Sequence, residues 1–344
     1  MAQTGIARID QLFSGLLAPP LAAGEPDRDA VGVVQDLLRG HGFAELPGLL
    51  GTARGIFGPL TTAAVEHFQS AHNLAGAGSV DQPTLKAMVD VPAVAPSMAR
   101  GYLALTLDVT FTPLVRIVSI TSQFEGAGLF TAINRNTDRA GLSFGAIQWA
   151  QKPGRLNELL RACRTAENDV FVQIFGAGDA ALAAGLIEHT ALPGCGVDGQ
   201  GQTTDPRFDL TSETWVSRFL AAGRHRALQT VQANVALDAF QKSLARLRNF
   251  APTIQSQRGV AFMLDLANQY GDGGAQSIFQ AVALPGLSEP ELLEAIEQES
   301  VARVRRQFGD GPVTDSTRSR REAFRVSALL SDKPFAGAAA GTTA

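Results

Sequence analysis

The sequence predicts a mainly α-helical protein with two folded parts, a small three-helix bundle and a larger, mostly helical domain. The chain has 344 residues, which is long for a single hydrophobic core. Apolar side chains recur along most of it with the spacing of an amphipathic helix. Residues 131–148 are polar, turn-rich and weakly helical, so we expect this interval to interrupt the helices.

The small bundle is predicted within residues 29–90. Its three helices are expected over 29–40, 61–71 and 82–89, where apolar residues recur on one face. Glycine-rich loops separate them. The spacing therefore predicts three short helices around one small core.

The remaining chain divides into four intervals by composition. A short amphipathic stretch and then a proline-, alanine- and glycine-rich passage fill residues 1–28. Residues 91–112 begin with VPAVAPSMAR, which has two prolines and no helical stripe and is predicted to be a linker. The larger domain is predicted over 113–333, including a solvent-facing charged helix over 289–308. The tail, 334–344, lacks anchoring residues and is predicted to be disordered.

Composition and charge exclude several classes of function. The chain is 45% hydrophobic and 18% charged, as expected of an ordinary globular protein. Its formal net charge of -4 offers no basic surface, so nucleic acid is not an expected partner. No segment reaches the roughly 18 apolar residues of a membrane helix, and the first residues contain no signal-peptide core. We therefore expect synthesis in the cytoplasm without a signal peptide, and no stable membrane insertion.

Neither a disulfide framework nor a metal site is predicted. The two cysteines, Cys163 and Cys195, are equally compatible with one bridge and with two buried thiols. The acidic residues of the polar run 195–209 lack calcium-loop spacing, and no His/Cys set has zinc-site spacing. We expect no metal and no other cofactor.

Three short patterns mark the small bundle. They read V-x-x-V-Q-x-x-L, then G-I-F-G-P-x-T-x-x-A-V-x-x-F-Q, then P-T-L-x-x-M. Gly55 and Gly58 permit a tight loop, Thr61 can cap the next helix, and Phe57 and Phe68 supply the core. The patterns resemble the peptidoglycan-binding repeat domain found at the ends of many wall hydrolases. The resemblance implies peptidoglycan glycan strands as the partner.

The bundle departs from that family at two positions. Arg54 stands where an acidic residue is usual, and Asp81 stands where glycine is common. We expect Gln35 and Gln69 to bond to loop backbone rather than to ligand. The resemblance therefore implies the fold of the family more strongly than its affinity for ligand.

Two acidic residues of the larger domain are candidates for acid/base chemistry. An apolar helix over 114–124 delivers Glu125 at its end, where partial desolvation and the negative helix terminus both raise a carboxyl pKa. A general acid for glycoside cleavage needs that shift. Asp138 lies in a polar run among hydrogen-bond donors, and we expect it to stay ionised. Taken singly, each is more commonly just a solvated side chain, but the pair has the contrast that acid/base hydrolysis requires.

A longer motif surrounds this pair. The segment D-R-A-G-L-S-F-G-A-I-Q, followed by P-G-R-L-N-E-L-L, is similar to the signature of family-46 glycoside hydrolases, the chitosanase group of the lysozyme-like superfamily. The resemblance implies a two-lobed α+β lysozyme-like domain with a short β region. It also implies that Glu125 is the proton donor, Asp138 the general base and Ser143 the hydroxyl that helps hold the attacking water, in an inverting mechanism.

A second similarity lies downstream. Residues 259–271 resemble that family's buried helix across the cleft, in which an Asp joins an arginine network. The resemblance implies that Asp265 supports the site, with Arg318, Arg320 or Arg321 as its partner. The side chains predicted to bind substrate are those of Asn136, Gln148 and Tyr270.

Three functions remain open on the sequence. Gln148 stands where goose-type and transglycosylase lysozyme-like enzymes often carry Gln, which favours N-acetylated glycan and a muramidase-type peptidoglycan hydrolase. The second hypothesis is a chitosanase-like hydrolase of glucosamine polymers, and the third a non-catalytic wall-binding protein. We expect action on the wall or periplasm, as a phage endolysin or as an injected bacteriolytic effector. The sequence leaves open that choice, as well as any immunity protein or secretion apparatus.

Overall fold

The structure is a computed structural model that describes residues 4–16, 19–282 and 286–335. Within these ranges it contains fourteen α-helices, one short 3-10 helix and one three-stranded sheet, which confirms the predicted mainly α class. The contacts divide the chain into two compact units. These are Met1–Phe111 with Ser122–Ala236, and Thr112–Thr121 with Leu237–Ala344.

The first five helices belong to the first unit. They are α1 (Ala7–Ser14), α2 (Arg28–Gly40), α3 (Pro59–Ala71), α4 (Gln82–Asp90) and α5 (Arg100–Thr106). The three helices predicted for the small bundle are α2, α3 and α4, each found within two residues of its predicted bounds. Asp81, which departs from the family pattern, caps α4, because its side chain accepts a hydrogen bond from the Thr84 amide at 2.9 Å.

Two further helices join the bundle. Residues 1–28 contribute α1, whose Ile9 and Leu12 are buried in the same core as Val34 and Phe68. The interval 91–112, predicted to be a linker, instead contains α5, in which Gly101 through Thr106 are all buried. A short helix that is covered on every side has no amphipathic stripe, so the periodicity could not reveal it.

The sheet lies within the interval predicted to interrupt the helices. Strands β1 (Ile133–Arg135), β2 (Leu142–Phe144) and β3 (Trp149–Ala150) are antiparallel in that order. Asn134 pairs with Ser143, and Ser143 pairs with Ala150. The first unit then continues through α7 (Arg155–Ala166), α8 (Asn168–Phe175), α9 (Ala180–His189), the 3-10 helix Pro206–Phe208 and α10 (Glu213–Arg224). The rings of Phe144, Phe175 and Phe219 pack together at centroid distances of 5.0 and 5.1 Å.

Two helices carry the chain between the units, namely α6 (Pro113–Gln123) and α11 (Arg226–Leu247). The second unit adds α12 (Gln257–Val282), α13 (Glu289–Phe308) and α14 (Pro312–Val326). The helix predicted over 289–308 is therefore confirmed. Gly271 interrupts α12 with a non-helical φ of 71°, a conformation that favours glycine.

Two further expectations have different outcomes. The sequence predicts a disordered tail from residue 334, but Phe335 is 6% exposed and its amide donates to the Gln255 carbonyl at 2.8 Å. Burial of its ring supplies the anchor that the composition did not reveal, while 336–344 lie outside the described residues.

Cys163 and Cys195 are both free and buried, and burial raises the pKa of the Cys163 thiol to about 12.

Among the described helices, no single one is long and apolar enough to cross a bilayer. The pair α8 and α9, bent by 88°, passes that test together on length and composition alone.

Candidate active site

Glu125 lies in the turn that follows α6. The helix ends at Gln123 and Glu125 is half-buried. Gly126, with φ of 72°, then bends the chain against the start of β1, and a Cβ at this position would lie 2.6 Å from the Ala132 Cβ. The same Cβ would lie 3.7 Å from Gln148 Nε2. The turn that carries the candidate acid is therefore packed against the region of Gln148.

Asp138 lies on the exposed turn between β1 and β2. Its carboxylate accepts a hydrogen bond from the Ala140 amide at 3.2 Å. The preceding Asn134 side chain accepts from the amide and hydroxyl of Thr137 at 3.0 and 2.8 Å. The turn is therefore held by side chains, and the Asp138 carboxylate is accessible to water and ligand.

Ser143 is the middle residue of the central strand. It is 3% exposed and lies between its cross-strand partners Asn134 and Ala150. The sheet register thus fixes the backbone of Ser143 within the β1–β2 hairpin, and the turn of this hairpin contains Asp138. Its predicted role in holding water stays a prediction.

The side chains of Asn136 and Gln148, which are predicted to bind substrate, both form hydrogen bonds with backbone atoms. The Asn136 amide accepts from Gly141 N at 2.9 Å and donates to the Gln200 carbonyl at 3.1 Å. Gln148 donates to the Gly145 carbonyl at 3.1 Å. Their substrate-binding role stays a prediction, to which the structure adds a role in shaping the hairpin.

The polar loop over 195–209 is docked on this hairpin. Besides the bond from Asn136, Lys152 Nζ donates to the Gly199 carbonyl at 2.8 Å. Asp198 organises the loop from inside, because the amides of Gln202 and Gln200 bond to it and hold its pKa below the usual value. The loop is therefore packed against the hairpin whose turn contains Asp138.

Sequence reasoning missed two buried glutamines that position these turns. Gln232 of α11 accepts from Ala146 N at 3.2 Å and donates to the Phe130 carbonyl at 3.2 Å. Gln151 accepts from Leu142 N at 3.2 Å and donates to the Cys195 carbonyl at 2.9 Å. The available signal was a glutamine among buried apolar residues, since a buried amide must find partners.

The second unit holds the predicted acid–arginine network. Asp265 is fully buried, and its carboxylate accepts from Arg320 Nε at 2.9 Å and Nη2 at 2.8 Å. Arg321, also fully buried, donates to Asp265 Oδ2, which Arg320 Nε also contacts, and to Gln269. Of the three candidate partners, Arg320 and Arg321 both pair with Asp265, and their support of the site stays a prediction.

Arg318 and Tyr270 differ in their relation to this network. Arg318 lies outside the network and pairs with Asp315 at 2.8 Å on the exposed face of α14. It stands two residues before Arg320, which places it nearly on the opposite side of the helix from Arg320. The Tyr270 hydroxyl is buried, and its ring centroid lies 5.8 Å from Arg321 Cζ. Tyr270 thus packs on the network, while its contact with substrate stays a prediction.

Across the described ranges, no cluster of three or more His, Cys, Asp and Glu side chains could hold a metal ion. The acidic residues of the loop over 195–209 accordingly form no such cluster.

Comparisons with known proteins concern both parts of the chain. A mutant chitosanase from Bacillus subtilis MY002, complexed with 6 GlcN, is 16% identical with a TM-score of 0.44, over 63% of this chain and 87% of that chain. The native chitosanase from the same source is 18% identical with a TM-score of 0.43, over 62% and 85%. No curated protein matches the sequence. Residues 27–88 match the model of the family described as "Putative peptidoglycan binding domain", which confirms the resemblance predicted for the bundle.

Proposed function

We propose that this protein is a muramidase-type peptidoglycan hydrolase that cleaves the glycan strand of the bacterial cell wall. The observation that supports it most is a juxtaposition in one compact unit. The region similar to peptidoglycan-binding domains, residues 27–88, belongs to the same unit as the turns that carry Glu125 and Asp138. Binding of the polymer next to two carboxyl groups raises the local concentration of glycosidic bonds at those groups.

The proposed mechanism divides the work between two carboxyl groups. Glu125, half-buried beyond the end of an apolar helix, protonates the glycosidic oxygen. Asp138, on an exposed turn, takes a proton from water on the opposite face of the sugar, and Ser143 helps hold that water. An inverting reaction of this kind needs the two carboxyl groups roughly 6.5–9.5 Å apart, so that water fits between them and the sugar.

The test is mass spectrometry of the fragments released from purified peptidoglycan by the wild type and by Glu125→Gln. We expect reducing-end muramic acid products from the wild type and a loss of roughly 10²–10⁴-fold in rate for Glu125→Gln, the usual contribution of a general acid. The matched control is Glu158→Gln, an exposed carboxyl on α7, which should cleave at the wild-type rate.

Each other outcome identifies a different function. Anhydro ends would indicate lytic transglycosylation, and cleavage of chitosan in preference to peptidoglycan would indicate a hydrolase of glucosamine polymers. Binding to walls without any released fragment would leave a wall-binding protein.

We also propose that the protein acts at the wall after phage release or injection by a bacterial secretion machine. Directing the protein to the periplasm should lyse the expressing cell, and Glu125→Gln should abolish lysis.

A further inference from the structure

Residues 96–106, which include α5, contact helix α2 of the small bundle on one side and the turn of Glu125 on the other. We call this segment the spacer. Both sets of contacts lie within the first compact unit. They join the small bundle to the turn of Glu125. The distance between these two parts decides which bond of a bound strand is cleaved.

The spacer is bonded to α2 through its glycine. The amide of Gly101 donates to Asp36 Oδ2 at 3.1 Å. Asp36 is 2% exposed and is fixed in turn by Arg54, whose two terminal nitrogens lie 2.5 and 2.8 Å from the carboxylate oxygens. A bidentate arginine–carboxylate pair has a defined geometry, so it holds the carboxylate in one orientation toward the spacer.

The approach of the spacer to α2 is close enough to require glycine. A Cβ at Gly101 would lie 2.7 Å from the Val33 carbonyl oxygen and 3.1 Å from the Val33 Cα. Backbone atoms cannot move aside as the end of a flexible side chain can. The two helices are therefore in direct backbone contact, without an intervening side-chain layer.

On its other side, the spacer pairs with the chain that follows Glu125. Met98 N donates to the Gly128 carbonyl at 2.9 Å, and Phe130 N donates to the Pro96 carbonyl at 2.9 Å. These two bonds form an antiparallel bridge between Ser97 and Leu129. The turn that carries Glu125 is thus bonded to the spacer three residues after the carboxyl.

A buried side-chain bond completes the attachment. The Tyr102 hydroxyl donates to Gln229 Oε1 at 2.8 Å, and Gln229 Nε2 donates to the Gly223 carbonyl at 2.9 Å. Burial raises the pKa of Tyr102 to about 12, so the hydroxyl keeps its proton and remains a donor. One turn farther along α11, Gln232 bonds to the Phe130 carbonyl, so the same helix supports both the spacer and the Glu125 turn.

We propose that the spacer fixes the register of cleavage, with Gly101 and Asp36 as specificity-determining residues. A glycan strand held by the bundle then meets Glu125 at a constant number of sugars from the bound end. A free eleven-residue chain would instead spread its ends over roughly 18 Å and cleave at many positions. This inference rests on the proposed function for its consequence, but the rigidity itself is independent of catalysis.

The first experiment measures rigidity without substrate. Spin labels are placed on cysteines introduced at Ser70 of α3 and Glu158 of α7, both exposed, while the two native thiols are buried. The wild type should give one narrow distance distribution, and Gly101→Ala should broaden it by at least about twofold toward the spread of a free chain. Gly194→Ala is the matched control, because a Cβ there meets nothing within 4 Å. A broad distribution in the wild type overturns the proposal whether or not the enzyme is active.

The second experiment measures the lengths of products from uncrosslinked peptidoglycan strands. At equal numbers of bonds cleaved, the wild type should give a narrow set of lengths and Gly101→Ala a broad one. Tyr102→Phe, which removes one hydroxyl, provides a milder variant that keeps the helix contact and should broaden the set less. Identical length distributions in the wild type and in Gly101→Ala would overturn the proposal, whereas absence of all products would overturn the proposed function and leave the distance measurement valid.

Discussion

Gln232 lies on the buried face of α11, where an amide is costly unless its polar atoms are bonded. It is 1% exposed and serves two backbone groups, the Ala146 amide and the Phe130 carbonyl. These groups belong to the β2–β3 turn and to the chain after Glu125. A single side chain therefore sets the distance between two parts of the candidate site.

Replacing Gln232 by alanine should weaken both stability and catalysis. Leaving a buried donor and acceptor unbonded lowers the free energy of unfolding by about 1–3 kcal/mol. A displacement of about 1 Å at a reacting group costs up to roughly 100-fold in rate, so kcat should fall even where the fold persists. Urea unfolding and peptidoglycan turnover check the two effects. Gln241→Ala, on the exposed face of the same helix, is the control, and equal effects of both variants would contradict this role.

The residues of the candidate site differ in how far sequence could predict them. The motif predicts Asp265 with an arginine partner, and the structure shows that Arg320 and Arg321, not Arg318, pair with it. Gln232 and Gln151 escaped, because the backbone groups they serve are distant in sequence. The pairing of Glu125 with Asp138 stays a prediction.

At the scale of elements, the small bundle contains a half-buried histidine between two helices. His41 ends α2, and its Nε2 bonds to the Met88 carbonyl of α4 at 2.8 Å. Its ring lies 4.8 Å from that of Phe68 and 6.4 Å from that of His72. Burial lowers the pKa of His41, and the neighbouring His72 lowers it further, while the bond to Met88 opposes the shift.

This direction predicts that the bundle loses stability in mild acid. A histidine whose folded pKa is depressed binds fewer protons when folded than when unfolded. The unfolded state is therefore stabilised relative to the folded state as pH falls below about 6.5. We expect the melting temperature to be constant above neutral pH and to decline between about pH 6.5 and the depressed folded pKa. Thermal unfolding of His41→Gln should show less of this decline than the wild type, whereas exposed His67→Gln should retain it. A decline that survives in His41→Gln would place its origin elsewhere.

The helices themselves show what periodicity can and cannot reveal. α2, α3, α4 and α13 were predicted within two residues, because each has an apolar face or clear end signals. α5 was missed for the opposite reason, since six of its seven residues are buried and no polar face remains. Its hydrogen-bond partners, Asp36 and Gln229, are far away in sequence, so its contacts could not be anticipated.

For the whole molecule, chain order and spatial grouping differ. The predicted boundaries at residues 90 and 113 follow composition, but the contacts place Met1–Phe111 in one unit with Ser122–Ala236. The hydrophobic core of the small bundle also includes Ile9 and Leu12 from α1 and Leu105 from α5. A domain defined by the family match alone, residues 27–88, therefore omits part of its own core.

Two fragments should differ in stability for that reason. Fully burying a leucine or isoleucine side chain contributes roughly 1.5–3 kcal/mol, so omitting Ile9, Leu12 and Leu105 removes several kcal/mol from a small core. We expect the fragment 4–111 to melt at a distinctly higher temperature than the fragment 27–90, by circular dichroism under the same conditions. The substitution Leu105→Ala should lower the melting temperature of the longer fragment and so reduce the difference between the two fragments. Equal melting temperatures would mean that α1 and α5 rest on the bundle without stabilising it, and the domain boundary would then return to the position that composition predicts.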